Sequence, residues 1–141
     1  MTLHVAGWYD AMVTDVERLQ EFFRRAPLDA AAVWLFGSTA RGTARCDSDV
    51  DVAVLFAHTP TSTLAAQPFA LEDELRALLG KPTQVVALNR APVDLVHRVL
   101  RDGILVFEGD RSARVRFEVK ARNEYFDLLP MLQRYRGTLA P

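Results

Sequence analysis

The sequence predicts an α/β layer fold, because short apolar runs typical of buried strands alternate with segments whose apolar residues recur at helical spacing. The strand-like runs are rich in valine and alanine, and the helix-like runs end at glycine or proline. A chain of 141 residues can bury a real core but leaves little room for a second one. No internal repeat or low-complexity tract divides it, so we expect a single domain over residues 1–141.

The first half of the chain contains one predicted helix and two predicted strands. A capping-box pattern that begins at Thr14 predicts a helix that continues to Pro27. Residues 31–36 form a short apolar run that Gly37 closes, which is typical of a buried strand followed by a tight turn. Residues 49–56 alternate and are rich in valine, so they predict a second strand.

The second half repeats the alternation and ends in a long helix. Residues 67–79 carry leucines at helical spacing before a glycine, and residues 83–88 predict a third strand. Residues 92–102 predict a helix, with proline in its first turn and glycine after its end. Residues 104–107 can return as a short strand, and apolar residues three or four apart predict one helix over about 111–136.

Composition and charge exclude several classes of protein. The formal net charge of −1 argues against a domain that binds nucleic acid through its overall field, since such domains are usually strongly basic. Cys46 is the only cysteine, so an internal disulfide is excluded. The sequence contains no run resembling a cleavable signal or a membrane span of about 20 apolar residues. We therefore expect a cytoplasmic protein with no membrane or direct nucleic-acid partner.

The second predicted strand begins with a pair of carboxylates. Residues two apart on a strand project from the same face, so Asp49 and Asp51 lie roughly 6 to 7 Å apart. Such a pair is tolerated if both groups are solvated or if a cation lies between them. Oxygen ligands suit Mg²⁺, which binds through one or two carboxylates and takes water and phosphate oxygens as its other ligands. The partner that this pair predicts is a nucleoside triphosphate.

The turn after the first predicted strand suits the phosphates of that ligand. Gly37 lets the backbone approach closely, and Ser38 offers a hydroxyl and an N–H group where a helix can begin. Arg41 either contacts phosphate or is a solvated helix residue. A Gly-Ser turn alone is usually a helix cap, and an Asp-x-Asp alone is usually a solvated face. Their joint occurrence at the ends of two apolar strands predicts a phosphoryl-transfer site.

The spacing Gly-Ser-x10-Asp-x-Asp, from Gly37 to Asp51, resembles that of the DNA polymerase β-type nucleotidyltransferase superfamily. More narrowly, the chain length and residues 88–92 and 104–109 resemble the minimal nucleotidyltransferases, which typically act as antitoxins beside a HEPN-domain toxin. The resemblance implies the fold of that superfamily, an α/β fold with a short mixed sheet flanked by helices.

The resemblance also implies an activity, the transfer of AMP from ATP to a tyrosine of the toxin, which silences the toxin's ribonuclease activity. In such a site, Gly37 and Ser38 would hold the triphosphate, and Asp49 and Asp51 would bind Mg²⁺. The family usually has a third carboxylate on the next core strand. The matching position in this sequence is Gln84.

This departure leaves alternatives open. The Gln84 amide oxygen can accept a hydrogen bond from a hydroxyl or coordinate a metal ion, but the amide carries no charge and cannot act as a general base. A catalytically weak or inactive homologue that neutralises its partner by binding is therefore one alternative. A small-molecule nucleotidyltransferase is another, although those enzymes resemble longer chains with an added substrate domain.

The predicted C-terminal helix is basic. Residues 111–136 hold seven arginine or lysine residues and three acidic residues. These charges are either an ordinary solvated helix surface or a docking surface for an acidic or tyrosine-bearing protein partner. Contact with RNA is a weaker alternative, because the chain as a whole is not basic.

Overall fold

The structure is a computed structural model and describes residues 2–26, 29–41, 49–58 and 69–139. The strands are β1 (Ala30–Phe36), β2 (Val50–Phe56), β3 (Thr83–Ala87) and β4 (Ile104–Glu108). The helices are α1 (Thr2–Arg25), α2 (Ser38–Arg41), α3 (Phe69–Leu79), α4 (Val93–Asp102) and α5 (Arg111–Leu139). A 3₁₀ turn, Leu88–Arg90, follows β3 directly.

The strands form one mixed sheet in the order β3-β2-β1-β4. β1 is antiparallel to both β2 and β4, whereas β2 and β3 are parallel. The parallel pair needs a crossover connection, and α3 lies in the chain between the two strands. The predicted α/β fold with a short mixed sheet flanked by helices is confirmed.

Two apolar clusters cover the two faces of the sheet. On the α1/α3 face the buried residues are Leu19, Phe23, Val33, Leu35, Val50, Val52, Val54, Leu71, Leu75, Leu79, Val85 and Val106. On the α4/α5 face they are Ala31, Ala32, Trp34, Ala53, Leu55, Leu88, Val96, Val99 and Ala121. β2 therefore alternates strictly between the faces, with its valines on one side and Ala53 and Leu55 on the other.

The predicted start of the first helix at Thr14 is wrong, because α1 already begins at Thr2. The hydroxyl of Thr14 does not cap a helix; it donates to the carbonyl oxygen of Asp10, four residues earlier, at 2.9 Å. Asp15 is buried and accepts a 2.7 Å hydrogen bond from the ammonium group of Lys81. The residues match the pattern of a capping box, but they lie in the interior of a helix.

The other predicted elements occur, with small shifts at those ends that lie within the described residues; residues 67 and 68, the predicted start of the third helix-like segment, lie outside them. The third strand is one residue shorter than predicted because Leu88 begins the 3₁₀ turn. α4 starts at Val93, with Pro92 as the residue before its first turn. α5 continues to Leu139 with Pro130 inside it. Within the described residues, none of the helices is long and apolar enough to cross a membrane.

Candidate active site

The chain turns sharply where β1 ends. Gly37 has φ +76°, a left-handed conformation that residues with a side chain rarely adopt. A Cβ atom added at Gly37 would overlap a carboxylate oxygen of Asp51. Phe36, the residue before the glycine, is the direct partner of Asp51 across the antiparallel β1–β2 pair. Glycine is thus required both by the turn and by the carboxylate that packs against it.

The acidic pair lies at the start of β2. Asp51 is the second residue of the strand and is partly exposed, while Val50 and Val52 on either side are buried on the α1/α3 face. Asp51 therefore projects on the α4/α5 face. Asp49 lies one residue before the strand and is exposed, so the predicted strand start is one residue early. Its neighbour Val50 is held by a 2.9 Å hydrogen bond to the carbonyl oxygen of Pro82.

Gln84 lies beside Asp51. The two residues are direct partners in the parallel β2–β3 register, and neighbouring strands are about 4.8 Å apart. Gln84 is exposed, whereas Thr83 and Val85 are buried. Since directly paired residues of neighbouring strands project on the same face, Gln84 shares the face of Asp51. The position matched to the missing carboxylate is thus next to the acidic pair.

The remaining predicted site residues belong to α2. Ser38 follows the glycine turn directly, begins this short helix and is partly exposed. Arg41 is the last residue of α2, and its contact with phosphate stays a prediction. Residues 42–48, which connect the two halves of the motif, lie outside the described residues. The structure therefore brings together Gly37, Asp51 and Gln84, with Asp49 and Ser38 as their chain neighbours.

The oxygen donors of this site fit Mg²⁺ better than a metal held by protein ligands alone. Among the described residues, no three or more His, Cys, Asp and Glu side chains are grouped so as to hold a metal ion. The candidate donors are the carboxylates of Asp49 and Asp51 and the amide oxygen of Gln84. Mg²⁺ characteristically uses one or two carboxylates together with substrate phosphates, whereas a structural zinc site needs four protein ligands.

The chain matches known proteins over most of its length. Residues 17–112, more than half of the chain, match the family described as Polymerase beta, Nucleotidyltransferase. The chain belongs to this family. The matched region of this nucleotidyltransferase contains the glycine turn, the acidic pair and Gln84, and the predicted superfamily resemblance is confirmed.

Individual relatives agree with this placement. Protein adenylyltransferase MntA of Thermococcus cleftensis is 35% identical over 74 residues, which cover 52% of this chain and 72% of the relative. A crystal structure of a toxin-antitoxin with AMP-PNP has a similar chain, with a TM-score of 0.74, 25% identity and coverage of 88% of this chain and 97% of that one. A chain in the complex of tri-AMPylated Shewanella oneidensis HEPN toxin with MNT antitoxin has a TM-score of 0.69 at 23% identity, covering 91% and 98%. At 23% identity, the similarity to this second structure shows the fold alone.

The sequence explains only part of the reason why residue 37 is a glycine. Its predicted role was to let backbone approach phosphate, but the structure adds that the Asp51 carboxylate occupies the space where a side chain would lie. The sequence signal for a special role of this glycine was its position directly after one predicted strand. The contact itself depends on the β1–β2 register, which no local pattern encodes.

Proposed function

We propose that this nucleotidyltransferase is a cytoplasmic antitoxin that transfers AMP from ATP to a tyrosine of a cognate HEPN-type toxin. The observation that carries the proposal is the cluster of Gly37, Asp51 and Gln84 at one end of the sheet. The names of similar proteins support the reaction and the partner, since one is a protein adenylyltransferase and others are parts of toxin-antitoxin complexes.

The residues of the site divide the binding of the substrate between them. The Gly37–Ser38 turn would offer backbone N–H groups and the Ser38 hydroxyl to the phosphates, and Gly37 has no side chain to hinder their approach. Asp49 and Asp51 would hold Mg²⁺ on the neighbouring strand. Bound there, the ion would offset phosphate charge and orient the α-phosphate. The tyrosine oxygen then forms a bond to the α-phosphorus, the bond to the leaving pyrophosphate breaks, and the hydroxyl proton must be accepted by a base.

Gln84 limits the last part of this reaction. Its amide oxygen can accept a hydrogen bond from the tyrosine hydroxyl and orient it, but the amide does not take the proton at neutral pH. The proton must pass to water or to a phosphate oxygen instead. Because a general base typically contributes about 10²- to 10⁴-fold, we expect slow transfer that still benefits from positioning and from charge stabilisation.

A second function is favoured by the same residue. With an uncharged side chain beside Asp51, the protein would retain nucleotide binding and neutralise its partner by contact, with little or no transfer. The two functions share the partner and the nucleotide site. They differ in whether the partner becomes covalently modified.

Co-expression with the product of the neighbouring reading frame tests both functions. We expect the two proteins to elute together in size-exclusion chromatography. After ATP and Mg²⁺ are added, intact-protein mass spectrometry should show AMP on a tyrosine of the partner. The matched control is the complex that carries Asp49→Asn and Asp51→Asn, which should remain unmodified. A stable complex without transfer would favour neutralisation by binding, and separate elution at micromolar concentration would contradict both functions.

A further inference from the structure

α5 has apolar residues on two sides. Its inner side packs on the sheet through residues that include Ala121 and Phe117. On another side, Val115, Val119 and Phe126 are 41%, 49% and 60% exposed. Scattered exposed apolar residues are ordinary, but these three lie four and seven residues apart, which places them on one line along the helix. The packing of the described residues does not account for this line.

Further residues continue this line along α5, at spacings that alternate between four and three residues. We call it the outer stripe, and its members are Val115, Val119, Arg122, Phe126, Leu129 and Gln133. This is the spacing of a coiled-coil seam, which is typical of a surface that pairs with another helix. At 1.5 Å per residue, the stripe is about 27 Å long, or about five helical turns. Its length and spacing both suit a helix as the occupant.

The charges along the outer stripe indicate which charge a partner helix should carry. Arg111 and Arg116 occupy the flanking positions of the repeat, Arg122 lies within it, and all three are exposed. None of them forms an ion pair with another described residue. Glu118 is an acid at a flanking position of the same repeat, and it accepts a 2.8 Å bond from Arg114, which also bonds Glu108. The bond to Glu118 raises the pKa of Arg114. The three arginines outnumber this acid along the stripe and its flanks, so the surface carries net positive charge.

A parallel pairing of two copies of the chain does not satisfy these charges. If two stripes paired in parallel and in register, Arg111 of one copy would face Arg116 of the other, and the two Arg122 side chains would meet at the seam. Like charges in these positions oppose pairing, whereas acidic residues on a partner helix would attract all three arginines. We propose that the outer stripe docks an amphipathic helix of a partner protein whose flanking residues are acidic. The identification of that partner with a toxin rests on the proposed function, but the charge preference does not.

Two synthetic peptides test the preference directly. Both form amphipathic helices with the same leucine seam, and one has glutamate and the other lysine at the flanking positions. Fluorescence anisotropy with the full chain should give at least tenfold tighter binding of the glutamate peptide, and rising salt should reduce the difference. Arg116→Glu should weaken binding of the glutamate peptide and strengthen binding of the lysine peptide.

Apolar variants test the stripe itself. Phe126→Gln should weaken binding of the glutamate peptide about tenfold. The matched control is Met131→Gln, because Met131 lies on the same helix with 61% exposure but outside the stripe. It should leave affinity unchanged, and circular dichroism should show both variants folded. In the complex with the neighbouring gene product, Phe126→Gln should weaken association and leave ATP binding intact.

Four results would overturn the proposal. They are equal affinity for the two peptides, equal effects of Phe126→Gln and Met131→Gln, self-association in analytical ultracentrifugation that Phe126→Gln abolishes, and binding of an RNA oligonucleotide as tight as that of the glutamate peptide. If the stripe behaves as expected while no AMP is ever transferred, the catalytic part of the proposed function fails and the docking surface stands.

Discussion

The two ends of β2 differ in what their polar groups do. At the C-terminal end, the side-chain amide of Asn89 donates to the carbonyl oxygen of Phe56 at 2.8 Å and accepts from its N–H at 2.9 Å. At the N-terminal end, Asp51 lies between the bare backbone of Gly37 and the exposed Gln84. One end is completed by hydrogen bonds within the chain, and the other presents oxygen donors at the surface.

This difference separates groups that stabilise the fold from groups that are kept despite a cost. Asn89 takes the place of a strand neighbour beyond the end of β3, so both of its bonds satisfy backbone groups. Asp49 and Asp51 instead carry like charges two residues apart, and such charges repel each other unless a cation lies between them. Substitutions at the two ends should therefore affect different properties, activity at one end and stability at the other.

The largest effect is expected for the double variant Asp49→Asn and Asp51→Asn. It removes both charges that would hold Mg²⁺, so magnesium-dependent ATP binding should be lost and transfer should fall by about 10³-fold or more. Thermal unfolding should show that the variant remains folded, so that the loss of binding reports on the site. Isothermal titration calorimetry measures the affinity for magnesium-ATP, and an unchanged affinity would refute the assignment of the pair.

Gln84→Asp should act in the opposite direction. A carboxylate beside Asp51 would supply a candidate base for the tyrosine hydroxyl, and the rate of transfer should rise by about 10²-fold. The control is Gln84→Asn, which has nearly the same shape as aspartate and no charge, and should give no gain. Intact-protein mass spectrometry over time measures the rate. A fast wild-type protein without further gain in the aspartate variant would mean that another carboxylate acts as the base.

Gly37→Ala tests the contact between the turn and the acidic pair. The left-handed backbone should cost about 1 to 2 kcal/mol, and displacement of the Asp51 carboxylate should weaken ATP binding about tenfold. Gly80→Ala is the matched control, since Gly80 has φ +68° but no atom within 4 Å of an added Cβ. The two variants should lose similar stability, measured by urea denaturation, and only Gly37→Ala should lose affinity. Equal ATP affinities in both variants would show that the contact does not matter for binding.

The smallest effect on function is expected at the other end of β2. Asn89→Ala leaves the backbone groups of Phe56 without their partner, which should cost about 1 to 3 kcal/mol of unfolding free energy. ATP affinity should not change, because Asn89 follows the far end of the strand pair. Asn123→Ala, at an exposed position of α5, serves as the control and should be neutral. A loss of ATP affinity in Asn89→Ala with unchanged stability would contradict the claim that this end of β2 affects stability and the other end affects activity.

The sequence predicted most of the sheet because burial leaves a periodic signal. Alternation in residues 49–56 gave β2 within one residue, although Asp49 lies just before the strand and only Asp51 lies on it. The bonds from Asn89 to Phe56 were not predictable, because they join residues 33 positions apart through a side chain. The predicted helix start at Thr14 was wrong for a different reason. A threonine hydroxyl can cap a helix or bond back within one, and the local sequence does not distinguish these uses.

The candidate site was predicted in its residue types and not in its arrangement. The resemblance to the family assigned Gln84 to the place of a carboxylate, but local patterns do not determine which residue of β2 lies beside it. That register depends on how the valines of both strands fit against α1 and α3. The roles of Ser38 and Arg41 with phosphate remain predictions.

The central strand also sets the order in which the chain can fold during synthesis. β1 pairs with β2 soon after both strands have been made, but its other neighbour is β4, where Ala32 pairs with Glu108. Until the ribosome has released β4, one edge of β1 has backbone groups without partners beside the apolar residues of the future core. Such an edge is a template for aggregation, and contacts between distant residues also slow folding. Chains that terminate before β4 should therefore depend on chaperones or be degraded.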